Sequence, residues 1–401
     1  MQIEIIFLIL VFSVILILLA FKRPLYQAIS GGLLVCAVLY RIPPKEILNC
    51  MYKTVSSWTS VSVLISLYLI TYLQQMLITR KMIKAAENDL NHLFRNRRKS
   101  ILSTSFFFGL LPSAASTILL GDIVKDSTEE YLDINEQAFV TSWYRHIPES
   151  FIPTYSFIIL FATLANIKIT DFIICMIVPV IFMFIVGYYP YITKLPKDME
   201  GVDDGGGKKQ ALTNLVQHMW PILLILVLII AFNVSVVFSA VISIGITMIV
   251  YKFKSAEVVK LSKIAFEPHM LLNSFLCLIF KEFVAYSGVL DLLPDTLAKL
   301  PIPTYLVFAL LFFIGGFVNV SAIIAIGTPL AFSALPGGAP LMMMLMSISH
   351  AANQLSPTHI CVVLAAEYFN IPLGNLIRKV LPRALIYCVF VILYYNLLML
   401  F

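Results

Sequence analysis

Apolar residues run along this chain in long blocks separated by short polar or basic stretches. Blocks at 3–21, 25–40, 58–79, 170–190, 217–232, 234–251, 268–287 and 380–400 predict helices that cross a bilayer, which takes about 20 residues. Two further stretches are apolar but interrupted. Residues 101–123 contain Gly109, the run Pro112-Ser113-Ala114-Ala115-Ser116-Thr117 and Gly121, and residues 303–330 contain Gly315-Gly316-Phe317-Val318-Asn319-Val320-Ser321. Each arm is too short to span, so each stretch predicts a re-entrant hairpin with its tip at the interruption. Two more stretches, at about 137–166 and 339–369, are long enough to span but are broken near their middles.

The first of those breaks is Arg145-His146-Ile147-Pro148-Glu149-Ser150-Phe151-Ile152-Pro153-Thr154. A single charge at the centre of a membrane helix costs about 2.5–3.5 kcal/mol even on lenient scales, and broken backbone survives at that depth only under protein or beside a water-filled cavity. The break has a twin. A shift of 204 positions lays Ser349-His350-Ala351-Ala352-Asn353-Gln354-Leu355-Ser356-Pro357-Thr358 beneath it, with His146 on His350, Pro153 on Pro357, Thr154 on Thr358 and Asn166 on Asn370. A shift of 206 lays Phe107, Gly109 and Gly121 on Phe313, Gly315 and Gly327. The chain therefore reads as one unit used twice: a first repeat at 1–192, a cytoplasmic linker at 193–215 rich in Gly, Asp and Lys, and a second repeat at 216–401. Interrupted segments at matching places in two halves are the best sequence pointer to a transporter binding site.

Composition sharpens the class. The chain is 60% hydrophobic and 12% charged, against about 25% charged in soluble domains, so the expected fold is an all-α polytopic membrane protein. The net charge of +6 follows from loop residues and points to lipid rather than nucleic acid. With Lys22-Arg23 placed inside, Arg80–Lys99, Lys194–Lys209, Lys252–Lys263 and Arg378-Lys379-Arg383 also fall inside, as the positive-inside rule requires. Each half then makes five crossings plus one hairpin. An odd count turns the second half upside down, giving two inverted-topology repeats in the cell (inner) membrane with both termini outside. Residues 3–21 lack a basic leader and a cleavage site, and are read as a retained helix. The stretches 42–57, 122–136 and 252–267 read as connectors, and Arg80–Lys99 as a helix lying in the interface.

Candidate chemistry gathers at the four interruptions. Ser113, Ser116, Thr117, Asn319 and Ser321 sit at the hairpin tips, and Thr154, Asn353, Ser356 and Thr358 in the breaks. These oxygen donors suit a hard cation, Na⁺ above all, and no other metal or cofactor is expected. For any one hydroxyl, back-bonding to a helix carbonyl is the plainer explanation. Arg145 would be the fixed counter-charge for an anionic substrate, its planar fork matching a carboxylate; the alternative is an ion pair with Glu149 four residues on. His146, His350 and His359 titrate near neutrality and would serve as proton carriers or as buried structural groups. Glu149 is a candidate for binding the coupling ion or proton. The cysteines at 36, 50, 175, 277, 361 and 388 are spaced like buried hydrophobes rather than disulfides or metal ligands. No enzyme signature occurs.

At Gly109-Leu110-Leu111-Pro112 and Trp143-Tyr144-Arg145-His146…Glu149…Pro153 the chain resembles a prokaryotic family of ten-span membrane proteins that carry a domain of unknown function. That family is grouped in the ion-transporter superfamily with gluconate, citrate and dicarboxylate carriers and some Na⁺/H⁺ antiporters. The likeness covers nearly the whole chain in span order, and its specific part is these two motifs. It implies scaffold-plus-hairpin repeats, a site at the hairpin tips, an elevator-like motion and a homodimer. The superfamily's dicarboxylate carriers often show Ser-Asn-Thr at the tips, whereas here the tips read Ser116-Thr117 and Asn319-Val320-Ser321. The resulting expectation is a secondary transporter that moves a small organic anion, a carboxylate above all, with Na⁺ or H⁺. The substrate set would be Arg145, His146, Ser113, Ser116, Thr117, Asn319 and Ser321, and the coupling-ion set Glu149, Thr154, Asn353, Ser356, Thr358 and His350. The alternative is a cation/proton antiporter with no organic substrate.

Overall fold

The apolar blocks fold as helices, and among the described residues there is no strand. The computed structural model describes residues 3–21, 23–82, 85–86, 96–110, 115–196 and 207–400. The first half contributes α1 (Ile3–Ala20), α2 (Leu25–Leu39), α3 (Pro44–Ser56), α4 (Trp58–Thr79), α5 (Arg97–Gly109), α6 (Ala115–Thr128), α7 (Ile134–His146), α8 (Ser156–Ala165) and α9 (Ile169–Tyr191). The second half contributes α10 (Gly207–Phe232), α11 (Val236–Val250), α12 (Ser255–Ala265), α13 (Pro268–Tyr286), α14 (Val289–Leu297), α15 (Thr304–Val318), α16 (Val320–Ala334), α17 (Gly338–Asn353), α18 (Ile360–Tyr368) and α19 (Leu373–Leu398). Among the described residues, four stretches are long and apolar enough to cross a bilayer by themselves: Trp58–Thr79, Ile169–Lys194, Leu212–Phe232 and Pro268–Tyr286.

Helix ends follow local chemistry. Prolines open α3 and α13 at their first turn, where the missing N–H is not needed. Asp133 caps α7 in a capping box, accepting from the amides of Asn135 and Glu136 while Glu136 reaches back to the Asp133 amide. Asn166 and Asn370 both stop their helices in the left-handed conformation, at φ 56° and 49°. The next residue in each case bonds back across the turn, Ile167 N to Ala162 O at 2.9 Å and Ile371 N to Ala366 O at 3.0 Å. Asn is the non-glycine residue that tolerates this conformation best. The Asn that recurs at the 204-position shift is therefore explained by helix termination.

The connectors hold more helix than the residue pattern predicts. The stretch 42–57 contains α3, 252–267 contains α12, and the connector through Asp291 contains α14. Each buries a narrow stripe one turn apart, Cys50 with Thr54, Leu261 with Ala265, and Val289 with Leu293. That stripe is too short to register as periodicity in sequence. The acidic stretch 122–136 is helical through Thr128, and α10 begins at Gly207, inside the expected linker. Most of the basic segment after Arg80, at 83–84 and 87–95, lies outside the described residues, as does 197–206 of the linker.

Packing between the halves is reciprocal. Helix α4 packs on α11 and α12, while its counterpart α13 packs on α2 and α3; α8 packs on α16 and α6 on α18; α9 packs on α17 and α7 on α19. The centre is formed by α7 and α17. Every residue from Glu136 to Ser150 is buried, as is every residue from Leu341 to Ala352. Outside them, α9 exposes Ile174, Ile177, Ile181 and Ile185 at one-turn spacing, and α19 exposes Leu385, Ile386, Val389 and Leu393. An outer helix with an apolar exposed face and an inner helix with no exposed face invert the soluble pattern, which is what lipid as solvent selects.

Polar ties also join the halves. Arg80 grips Glu257 in a fork at 2.9 and 3.0 Å, and the Tyr68 and Tyr72 hydroxyls donate to Ser262 O and Val258 O. Lys194 pairs with Glu136 at 2.6 Å, and Lys379 stands 3.5 Å from both Glu136 and Asp133.

Candidate functional site: the meeting of two helix breaks

Helix α7 ends at His146 because Pro148 removes an amide and crowds the preceding turn. A single 3₁₀ turn, Pro148–Ser150, follows, and regular helix resumes at Ser156. Helix α17 ends at Asn353, and helix resumes at Ile360 after Pro357. Each break is clamped to the end of a neighbouring helix, α5 or α15. The Tyr155 hydroxyl donates to Gly109 O at 2.6 Å, and the Thr358 hydroxyl donates to Val318 O at 3.1 Å. Glycines allow the approach. A Cβ on Gly109 would sit 2.0 Å from Arg145 O, and one on Gly316 would sit 2.5 Å from Ser349 O. Arg145 and Ser349 are the twins of the sequence repeat, so both clamps close on the same backbone position.

The side chains that meet here come from both halves. His146 is fully buried, and its Nδ1 lies 2.5 Å from Ser142 O. A carbonyl only accepts, so Nδ1 carries the proton and Nε2 presents its lone pair. That Nε2 stands 3.7 Å from Glu149 Oε2. His359 approaches from the start of α18, with Nδ1 3.3 Å from Asn353 O and Nε2 4.0 Å from Glu149 Oε1. The two imidazoles cross edge to face with centroids 4.7 Å apart. His350 lies one ring further, 6.4 Å from His146, and its Nε2 lies 3.3 Å from the Gln354 amide nitrogen. Arg145 is 1% exposed, and its guanidinium interacts electrostatically with His146, Tyr155, His359 and Cys361.

The expected site residues therefore divide. Arg145, His146, Glu149 and His350 lie together in the enclosed cluster. Ser356 and Thr358 share a hydrogen bond at 2.8 Å beside it, and Asn353 supplies the carbonyl that orients His359. Thr117 and Thr154 are buried, and among the described residues no hydrogen bond reaches either hydroxyl. Asn319 is the N-cap of α16, its side chain accepting from the Ala322 amide at 2.9 Å, so part of its polarity serves the helix end. Ser321 lines a separate cavity of about 200 Å³ with Ser156, Phe157 and Leu160 of α8 and Asn273 of α13. Ser113 lies outside the described residues, as does the side chain of Ser116. A larger cavity of about 490 Å³ meets α8 at Ile159 and Thr163 and is walled by Ser62, Ser66 and Asn233. Among the described residues neither cavity is lined by Arg145 or Glu149.

Residue pattern alone missed Tyr155, Gln354 and Cys361. The sequence places His359 and Cys361 two apart, but nothing in it shows that they face His146 of the other half.

A family model described as a protein of unknown function, DUF401, matches residues 5–398. Comparison with curated proteins finds no match. Among solved structures, the chain is similar to the YdaH transporter of Alcanivorax borkumensis, at a TM-score of 0.58 and 13% identity, over 88% of this chain and 87% of that one. At that identity the likeness is one of fold.

Proposed function

The chain belongs to the DUF401 family of proteins of unknown function, and from that membership and the site's geometry we propose that it is a secondary active transporter for a small organic anion, a carboxylate above all, coupled to Na⁺ or H⁺. The observation that carries this reading is Arg145, a permanent cation buried at the point where two broken helices and two hairpin arms meet. A structural ion pair needs no such convergence of interrupted backbone. An anion site does, because freed amides and a guanidinium fork together replace the water of a carboxylate. The fold likeness to a solved transporter agrees.

Reciprocal packing of the halves supports a two-fold relation between repeats. Five crossings in each would make that relation an inversion, with both termini outside. Helices α5–α6 and α15–α16 would be the re-entrant hairpins. Helix α8 is a wall of both cavities, which supports motion of the hairpin-and-break unit past the remaining helices as an elevator-like step. In this reading Arg145 and the hairpin tips take the anion, and Glu149 with Ser356, Thr358 and carbonyls of the breaks takes the coupling ion.

The test is uptake of labelled carboxylates into proteoliposomes under imposed Na⁺ or H⁺ gradients. Arg145→Ala is expected to lower uptake at least about 100-fold, the scale of losing a buried charge-assisted contact, while the protein remains monodisperse. Uptake that survives in Arg145→Ala removes the anion assignment. A second reading, cation/proton antiport, is favoured by the His146–Glu149–His359 chain, with gaps of 3.7 and 4.0 Å. It predicts proton movement driven by a cation gradient with no organic solute present.

A further inference from the structure

One member of the cluster, Cys361, is used by neither reading. A ring nitrogen of His146, a ring nitrogen of His359 and Sγ of Cys361 lie within 4.8 Å of one another. Glu149 faces both rings, at 3.7 Å from His146 Nε2 and 4.0 Å from His359 Nε2. Tetrahedral zinc, with bonds of about 2.0–2.3 Å, sets its donor atoms roughly 3.3–3.7 Å apart. Each ring faces a different carboxylate oxygen, Oε2 for His146 and Oε1 for His359, and a turn of the carboxylate would bring one oxygen towards both.

Three independent features point to an ion. Both imidazoles are oriented from behind, His146 Nδ1 on Ser142 O at 2.5 Å and His359 Nδ1 on Asn353 O at 3.3 Å. That is the arrangement that fixes the tautomer of a metal-ligating histidine and turns its Nε2 lone pair outward. His146 Nε2 is fully buried, and among the described residues no hydrogen bond reaches it. A buried, oriented and unsatisfied lone pair is costly unless something takes it up. Finally, Pro357 and Thr358 are exposed immediately before His359, whose side chain is itself 10% exposed, which gives an ion a way in.

We propose that His146, Glu149, His359 and Cys361 form a binding site for a zinc-class divalent metal ion joining the two helix breaks, one pair of ligands from each half of the chain. Imidazole and thiolate donors select a borderline or soft metal over Na⁺, Mg²⁺ or Ca²⁺. The carboxylate and the thiolate together balance the ion's two charges, which makes the site tenable beside the Arg145 guanidinium. A bound ion takes Glu149 and both Nε2 atoms out of proton exchange and ties α7 to α18.

The proposal does not rest on the anion reading, and its test measures no transport. Full-length protein in detergent, stripped with a chelator, is titrated with Co²⁺ and then Zn²⁺. About one tight site per chain is expected, with a sulfur-to-cobalt charge-transfer band that Zn²⁺ abolishes. Cys361→Ser should lose that band, and His359→Asn should weaken binding more than about 10-fold, each eluting as the unmodified chain does. Because a thiolate ligand is visible in the unmodified protein, the test holds even if one variant misfolds. Well-folded protein that binds no Co²⁺, binds it without the band, or keeps the band in Cys361→Ser overturns the proposal.

Discussion

Gly109 shows how one residue sets the geometry of the site. Its missing Cβ lets the end of α5 rest on the Arg145 carbonyl and the Pro148 ring, with the built Cβ only 2.0 Å from the carbonyl oxygen. The obstacle is backbone, which cannot turn aside as a flexible side chain can. Gly109→Ala is therefore expected to lower stability by about 1–3 kcal/mol, the usual scale of overpacking. Gly245→Ala in α11 is the control, since nothing lies within 4 Å of its Cβ and alanine favours the helix by about 1 kcal/mol. Thermal unfolding in detergent should show the first variant falling and the second holding or rising. Equal behaviour of the two would mean that the clamp on Arg145 does not constrain the fold. At this scale the sequence signalled the positions, because glycines recur at matching places in the repeat, but not the reason. The repeated Asn166 and Asn370 suggested chemistry and are explained by left-handed helix stops.

Between elements, the Arg80–Glu257 fork joins α4 to α12 outside the apolar zone. The guanidinium holds the Glu257 carboxyl below its ordinary 4.5, at about 2, with help from the Lys254 amide. The folded state thus favours the ionised form more than the unfolded chain does. The pair's contribution is fully present above about pH 4.5 and is lost as pH falls through about 2. The pair is partly exposed, so its contribution should also shrink with salt. Glu257→Gln should flatten the fall in unfolding temperature across that acid window and leave the neutral-pH salt dependence weaker. An unchanged acid limb would show that the fork adds nothing to holding α12. Neither residue stands out in sequence as a pair, since Arg80 reads as the first charge of an interfacial helix and Glu257 as a charge in a basic connector.

For the whole molecule, the decisive question is whether the two halves point in opposite directions. Lys45 at the start of α3 and Lys254 before α12 are exposed and occupy corresponding corners of the two halves. If the repeats are inverted, Lys45→Cys should react with an impermeant thiol reagent only from outside the cell and Lys254→Cys only from inside. Labelling of both from one side would mean a parallel duplication, and the shared alternating-access frame would go with it. Much of this scale was legible in one dimension. Lipid requires every backbone group to be satisfied within the span, so the length of an apolar block and a proline inside it point to helices and interruptions, and the recurrence of both at about 204 positions is the sequence's argument for duplication. What no linear pattern carries is which faces of the two halves come together. His146 and Glu149 meet His359 and Cys361 only because α7 and α17 are enclosed at the centre and α18 folds back against α7. Contacts between residues so far apart depend on packing across the whole assembly, and Cys361, an ordinary apolar-run cysteine in sequence, becomes a candidate ligand only there.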